Sequence, residues 1–193
     1  MKVVNELPQD YKEIFSMDLN KDKKLSFFVN FFSILLAVAV FIIGCFIVPF
    51  NTFYNLKDIL GTLVKMLLVL FLIVVYIVLH ELVHGVAMKI CGTKKIKYGF
   101  TGLYAFAGSD DYYDKKSYIF IALAPVVLWG VVLALINIFV PTGWFWVVYL
   151  IQMMNISGAA GDLYITFKSI KFPKDSLVKD YGVSMKVFSK ENL

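Results

Sequence analysis

The stretch that decides the fold runs from residue 60 to residue 90 and reads LGTLVKMLLVLFLIVVYIVLHELVHGVAMKI. Lys65 is the only charged residue in its apolar part before Glu81. A helix of about 20 apolar residues is long enough to cross the hydrocarbon core of a bilayer. The stretch therefore predicts a membrane-spanning helix that carries two histidines, His80 and His84, and one acid near its end, where burial of polar groups in lipid is costly.

Three further stretches have the length and apolar character of membrane spans. They cover residues 27–48, 118–140 and 144–167. Hydrophobic residues make up 60% of the chain, well above the share in an ordinary soluble domain. The sequence predicts an all-α membrane protein with four transmembrane helices.

The polar segments divide the chain around these spans. We expect a cytoplasmic N-terminal segment at 1–26, a four-helix transmembrane domain at 27–167 and a cytoplasmic tail at 168–193. Apolar residues at helical spacing in the first segment favour an amphipathic surface helix, with a disordered lead-in as the alternative. Alternation around Asp180-Tyr181-Gly182 predicts a small hairpin in the tail.

The loop between the second and third spans is rich in glycine and aromatic residues. Residues 95–108 read KIKYGFTGLYAFAG, with partial alternation, which predicts a small cytoplasmic β-hairpin. A strand edge next to the histidines could bind an extended peptide by strand addition. The alternative is a hairpin that only lies on the bilayer surface.

The basic residues predict how the chain crosses the membrane. All 19 are lysines, and all but Lys57 and Lys65 lie before the first span, in residues 89–116 or from residue 168 onward. By the positive-inside rule, both termini and the 89–116 loop are cytoplasmic. The net charge of +5 then indicates contact with anionic membrane lipid and not with nucleic acid.

The only two histidines of the chain belong to one motif, His80-Glu81-Leu82-Val83-His84. Side chains four apart lie on the same face of a helix, so both imidazoles can bind one metal ion. Glu81 lies on the adjacent face, where it can act as general base on a water bound to that ion. The alternative is a purely structural pair of hydrogen-bonded histidines.

A second polar cluster, in the last span, supplies a possible third ligand. Asp162 lies six residues before Lys168, as His84 lies five before Lys89, so under the lysine topology both reach the same depth. A carboxylate at that depth can complete a zinc site with two histidines, or instead support a histidine from behind. Asn155, two turns earlier, is a candidate for binding substrate or oxyanion, or else a packing amide.

Three motifs together resemble a known family. They are His80-Glu81-Leu82-Val83-His84-Gly85, Ala122-Leu123-Ala124-Pro125 and the stretch from Asn155 to Asp162. The chain resembles the putative zincin peptidase family of small bacterial membrane proteins, formerly a domain of unknown function. More distantly it resembles the site-2 proteases, intramembrane zinc metalloproteases in which a later aspartate completes the site. In those proteases glycine follows the aspartate, whereas here Leu163 does.

The resemblance implies a zinc metallopeptidase in the bacterial cytoplasmic membrane. In this reading His80, His84 and Asp162 hold Zn²⁺, and Glu81 activates a zinc-bound water against a peptide bond of a membrane-associated or membrane-spanning substrate. A non-enzymatic zinc-binding membrane protein, such as a sensor or transport accessory, is the alternative, and a helical scaffold with a vestigial motif is a third. The substrate and the oligomeric state are not predicted.

Overall fold

The computed structural model describes residues 3–102 and 104–190, and helices dominate this part of the chain. The five α-helices are α1 Lys23–Ile47, α2 Ile59–Ile90, α3 Lys115–Phe139, α4 Phe145–Gly158 and α5 Ala160–Ser169. Within the described residues, α1, α2 and α3 are each long and apolar enough to cross a membrane, which indicates a membrane protein. Their positions match the first three predicted spans to within four residues.

The fourth predicted span, residues 144–167, is not one helix. Helix α4 has 14 residues and α5 has 10, and Ala159 between them leaves the helical conformation with φ −86° and ψ 18°. Neither reaches the roughly 20 residues that a straight span needs. Glycine destabilises a helix interior, and Gly158 and Gly161 flank the break. Of the four predicted spans, three are therefore found as helices long and apolar enough to cross a membrane.

The chain is mostly helical, but the all-α prediction holds only in part, because strands from both ends and from the middle of the chain form a sheet. The strands are β1 Val3–Val4, β2 Lys12–Asp18, β3 Lys97–Phe100, β4 Ala105–Gly108, β5 Tyr112–Asp114, β6 Leu177–Asp180 and β7 Ser184–Ser189. An antiparallel sheet has the order β1-β5-β6-β7-β2. The tail hairpin β6–β7 is confirmed, and its turn contains Gly182 at a φ of +92°.

The amphipathic helix predicted in the N-terminal segment was wrong. Strand β2 lies there and pairs with β7, with Phe15 opposite Val187 and Met17 opposite Met185. Helical spacing is a local pattern, whereas this pairing joins residues more than 160 positions apart. The hairpin β3–β4 follows α2 in the chain, with Tyr98 opposite Ala107. Its side of the membrane stays a prediction.

The chain forms two compact units. Unit 1 comprises the residues up to Val29, His80–Pro125 and the residues from Gly161 onward, so it contains every strand and the C-terminal end of α2. Its core joins Met88 of α2 and Ile121 of α3 to Tyr113, Val178 and Val187 of the sheet. Burial of these apolar side chains is the main force that fixes the end of α2 against the sheet.

Unit 2 comprises Asn30–Leu79 and Val126–Ala160. Its core is rich in aromatic residues, among which Trp146 packs edge-on against Tyr149 and Phe50. The hydroxyl of Tyr149 donates to the backbone carbonyl of Val40, 2.8 Å away, so the polar end of this ring is satisfied inside the unit. Unit 2 is thus a packed helical core with few ionisable groups.

Candidate metal centre

The two histidines lie on consecutive turns of α2 in unit 1. Because His80 and His84 are four residues apart, the helix brings their rings together, with centroids 4.9 Å apart. Each residue is only 8% exposed. Two buried imidazoles on one helix face form half of a possible metal site, as the sequence predicts.

Asp162 reaches the same point from α5. Its Oδ2 atom lies 3.5 Å from Nε2 of His80 and 3.5 Å from Nε2 of His84. The break between α4 and α5 places Asp162 in the first turn of α5, where the partial positive charge of the helix N-terminus favours a carboxylate. The structure therefore brings together the three residues proposed as ligands, and this group could hold a metal ion.

The spacing of these atoms suits a small divalent ion. Ligand atoms bound at about 2.0–2.1 Å in tetrahedral geometry lie about 3.4 Å from one another. The two nitrogen-to-oxygen separations of 3.5 Å are close to that value. Two imidazole nitrogens and one carboxylate oxygen also form a donor set typical of catalytic zinc, which keeps the fourth position for water or substrate.

The other nitrogen of His84 is also held. Its Nδ1 atom lies 3.0 Å from the backbone carbonyl oxygen of Ile121, in α3. A carbonyl can only accept, so Nδ1 donates and Nε2 of the neutral ring keeps its lone pair. This bond to the far side of the ring orients Nε2 toward Asp162.

Glu81 lies beside the histidines and contacts the hairpin. Its carboxylate accepts a hydrogen bond from the backbone N–H of Ala107, in β4. The residue is partly buried, so its carboxylate is screened from bulk solvent but not sealed. A base in this position, one residue after a ligand, suits proton transfer to and from water at the metal.

Tyr98 is a candidate that the sequence analysis missed. Its hydroxyl lies against Gly85 of α2, in the space that a Cβ would fill. Gly85 is one turn after Glu81, and Tyr98 pairs across the hairpin with Ala107, which itself binds Glu81. The glycine that follows the histidine motif was the available signal, since such a position permits close approach of another group.

Asp180 of β6 is the second missed residue. Its carboxylate accepts from the backbone N–H of Gly182 at 2.7 Å, and it lies near enough to His84 and Asp162 to interact with their charges. Burial raises the pKa of Asp180 to about 7. An aspartate in an Asp-Tyr-Gly turn is ordinary, so no local sequence signal distinguishes it.

Asn155 lies in unit 2, where its amide is engaged. Its Oδ1 accepts from the hydroxyl of Tyr76 at 2.8 Å, and its Nδ2 donates to the backbone carbonyl of Val126 at 3.1 Å. The side chain is fully buried. The alternative of a packing amide describes these contacts, and substrate binding by Asn155 stays a prediction.

The fold and the site together define a helical membrane protein with a buried two-histidine, one-carboxylate centre. Comparison of the sequence with protein families gives the particular family. Residues 73–177, more than half of the chain, match the model of the family named "Putative zincin peptidase". The chain belongs to this family, as the three sequence motifs predict, and the family name implies zinc. No curated protein and no solved structure matches the chain.

Proposed function

We propose that this protein is a zinc-dependent, membrane-embedded metallopeptidase. The observation that carries the proposal is the convergence of both Nε2 atoms on Oδ2 of Asp162 at 3.5 Å, with Glu81 one residue after His80. The family match supports it independently of this geometry. His80, His84 and Asp162 would hold the ion in a layout like that of the site-2 proteases.

The chain supplies the proton transfers. Zinc, when bound, supplies the Lewis acidity that lowers the pKa of water and polarises the peptide carbonyl. Glu81 takes a proton from the attacking water as its oxygen bonds to the carbonyl carbon. Glu81 then gives that proton to the amide nitrogen as the C–N bond breaks. The N–H of Ala107 holds the carboxylate of Glu81 in place between turnovers.

The side of β4 that faces away from β3 is where we place the substrate backbone, near Ala105. In an antiparallel pair, alternate residues direct their N–H and C=O groups toward the partner strand. Ala107 and Ser109 direct theirs away from β3, since the N–H of Ala107 reaches Glu81 and the N–H of Ser109 reaches the carbonyl of Asp180 at 2.9 Å. Ala105 shares this orientation, so an extended peptide can pair with Ala105 beside the base, while the N–H of Ala107 stays bound to Glu81.

Tyr98 is placed to assist the same reaction. Among the residues that the structure describes, its hydroxyl has no hydrogen-bond partner, and about half of the residue is exposed. A donor one helical turn from Glu81 can bond to the carbonyl oxygen of the scissile peptide. Such a bond strengthens as negative charge develops on that oxygen.

The substrate would be a membrane-associated or membrane-spanning polypeptide. The histidines lie on α2, which is long and apolar enough to span a membrane, and the lysine distribution favours a site near the cytoplasmic face of a bacterial cytoplasmic membrane, with both termini in the cytoplasm. The partners on this proposal are membrane lipid and a peptide chain. Nucleic acid is not a partner.

The test is the substitution Glu81→Gln in the full-length protein. This variant keeps the three ligands, so we expect zinc near one ion per chain by elemental analysis, while cleavage is lost. Cleavage is read by quantitative proteomics of membranes from cells that express the wild type or the variant. The matched control is Glu13→Gln, a surface glutamate of β2 paired with Lys186, which should leave cleavage unchanged.

Two results would count against the proposal. Undiminished cleavage by Glu81→Gln would remove Glu81 as the base. A second result would be that the protein binds zinc and that His84→Ala abolishes its biological activity, while Glu81→Gln retains that activity fully. In that case the protein is a zinc-binding sensor or transport accessory and not a peptidase.

A further inference from the structure

Helix α3 contains a proline well inside its length. Pro125 lies within Lys115–Phe139 and has no backbone N–H, so it cannot donate to the carbonyl four residues before it. That carbonyl belongs to Ile121. Ile121 and Pro125 are both almost fully buried, in a helix apolar enough to span a membrane, and lipid offers no donor to replace the missing one.

His84 supplies the missing donor. Its Nδ1 atom is 3.0 Å from the oxygen of Ile121, so the imidazole satisfies the acceptor that Pro125 leaves open in the α-helical ladder. The same ring presents Nε2 to Asp162 at 3.5 Å. One hydrogen bond thus closes a gap in α3 and orients a candidate metal ligand of α2.

We propose that Pro125 is a positioning residue of the metal centre, which reserves the Ile121 carbonyl for His84 and so fixes the tautomer and orientation in which Nε2 binds the metal. The inference rests on the proposed metal site. A residue with an N–H at position 125 would return the Ile121 carbonyl to the helix. His84 would then lose its partner on the far side from the ion, and loss of such partners typically lowers metal affinity by about 10- to 100-fold.

A second role of proline has to be separated from this one. Proline also bends a helix through the clash of its ring, and a bend alone could shape the unit without any effect on His84. The first role depends on the missing N–H of Pro125, and the second depends on its ring. An ester bond in place of the amide at position 125 removes the N–H without the ring, so it keeps the Ile121 carbonyl open in an otherwise ordinary helix.

The experiment compares three full-length proteins in detergent: the wild type, Pro125→Ala, and a chain with lactic acid, the α-hydroxy analogue of alanine, at position 125. ¹⁵N NMR of labelled histidine reports the tautomer, and the spectrum is simple because the chain has only two histidines. The zinc dissociation constant is measured by competition with a chromophoric chelator. Val127→Ala, at an exposed site on the same helix, is the control for general disturbance of α3.

We expect Pro125→Ala to lose the uniform Nδ1–H tautomer of His84 and to bind zinc about 10- to 100-fold more weakly. The ester protein and Val127→Ala should resemble the wild type in both measurements. An unchanged tautomer and affinity in Pro125→Ala would overturn the inference. Loss of the Nδ1–H tautomer and of zinc affinity in the ester protein would also overturn the inference. The ester protein therefore tests the inference even if Pro125→Ala does not fold.

The variant His84→Ala distinguishes failure of this inference from failure of the proposed function. If zinc binding survives His84→Ala, the proposed ligand set is wrong. If His84→Ala abolishes zinc binding and Pro125→Ala leaves the tautomer intact, the metal site stands and only the role of Pro125 is wrong.

Discussion

A polar cluster is buried around Asn155 in unit 2 and another around Asp162 in unit 1, and the two are built differently. In unit 2, Tyr76 donates to Asn155, which donates in turn to a backbone carbonyl, so every bond pairs a donor with an acceptor. In unit 1, the Nε2 atoms of His80 and His84 both face the Oδ2 atom of Asp162. Since Nδ1 of His84 already donates to a carbonyl, its Nε2 is an acceptor in the neutral ring and faces another acceptor.

This difference distinguishes a cluster whose hydrogen bonds are complete from one that needs a cation. A buried donor and acceptor stabilise each other and need nothing else. Two acceptors within 3.5 Å repel unless a cation lies between them, and either a proton or a metal ion can serve. The cluster in unit 1 is therefore complete only with a cation, either a proton or a metal ion, which agrees with the metal centre we propose.

The largest expected effect comes from Asp162→Asn, which keeps the shape of the side chain and removes its charge. Structural zinc is bound with roughly 10–16 kcal/mol shared among its ligands, so loss of one ligand should weaken binding by about 100- to 1000-fold. Competition titration with a chelator measures this. Asp110→Asn, at an exposed aspartate paired with Lys97, should bind zinc like the wild type. Equal affinities for all three proteins would remove Asp162 from the site.

The substitution Tyr98→Phe tests the donor beside Gly85. It removes one hydroxyl, so we expect kcat to fall by about 10- to 100-fold while KM and zinc content stay near the wild-type values. The control is Tyr112→Phe, a tyrosine of β5 that packs against Phe188. Measurement requires a cleaved substrate found by the proteomic comparison. A rise in KM or a fall in zinc content, with kcat unchanged, would make Tyr98 a structural residue.

The substitution Asn155→Ala tests the other cluster. It takes away the acceptor of the Tyr76 hydroxyl in a buried site, which should cost about 1–3 kcal/mol of the free energy of unfolding in mixed micelles. Zinc affinity should not change. If cleavage by the folded, zinc-loaded variant nevertheless disappears, Asn155 binds substrate or oxyanion as the sequence analysis allowed, and the contrast between the clusters is too simple.

The sequence predicts best what depends on local spacing. The three long helices follow from runs of apolar residues, and the adjacency of His80 and His84 follows from the helical repeat. The proximity of Asp162 required a further assumption, equal depth in the membrane. The lysines that flank both segments supplied it.

Contacts between distant parts of the chain were not predictable in this way. The pairing of β2 with β7 and the approach of Asp180 to the site depend on tertiary packing, which a single sequence does not display. The break at Ala159 was visible only as small residues, which also suit close helix packing. The hydrogen bond between His84 and Ile121 had one sign in the sequence, Pro125, which leaves the Ile121 carbonyl without its helical donor. Which residue donates to that carbonyl depends on where α2 lies.

The smallest expected effect concerns Asp180, which separates burial from charge at the edge of the site. Burial raises the pKa of Asp180 to about 7 in the fold, against about 3.9 in an unfolded chain. The stability that the protonated form contributes is therefore full below about pH 4 and is lost as the pH rises through about 7.

Because Asp180 is only partly buried, we expect a loss of about 1 kcal/mol between pH 5 and pH 8 in metal-free protein. Asp180→Asn should flatten this dependence of the free energy of unfolding, whereas Asp110→Asn should not. An unchanged slope in Asp180→Asn would place the titrating group elsewhere, and a slope that vanishes in the wild type on zinc binding would show that the cation offsets the cost of the Asp180 charge.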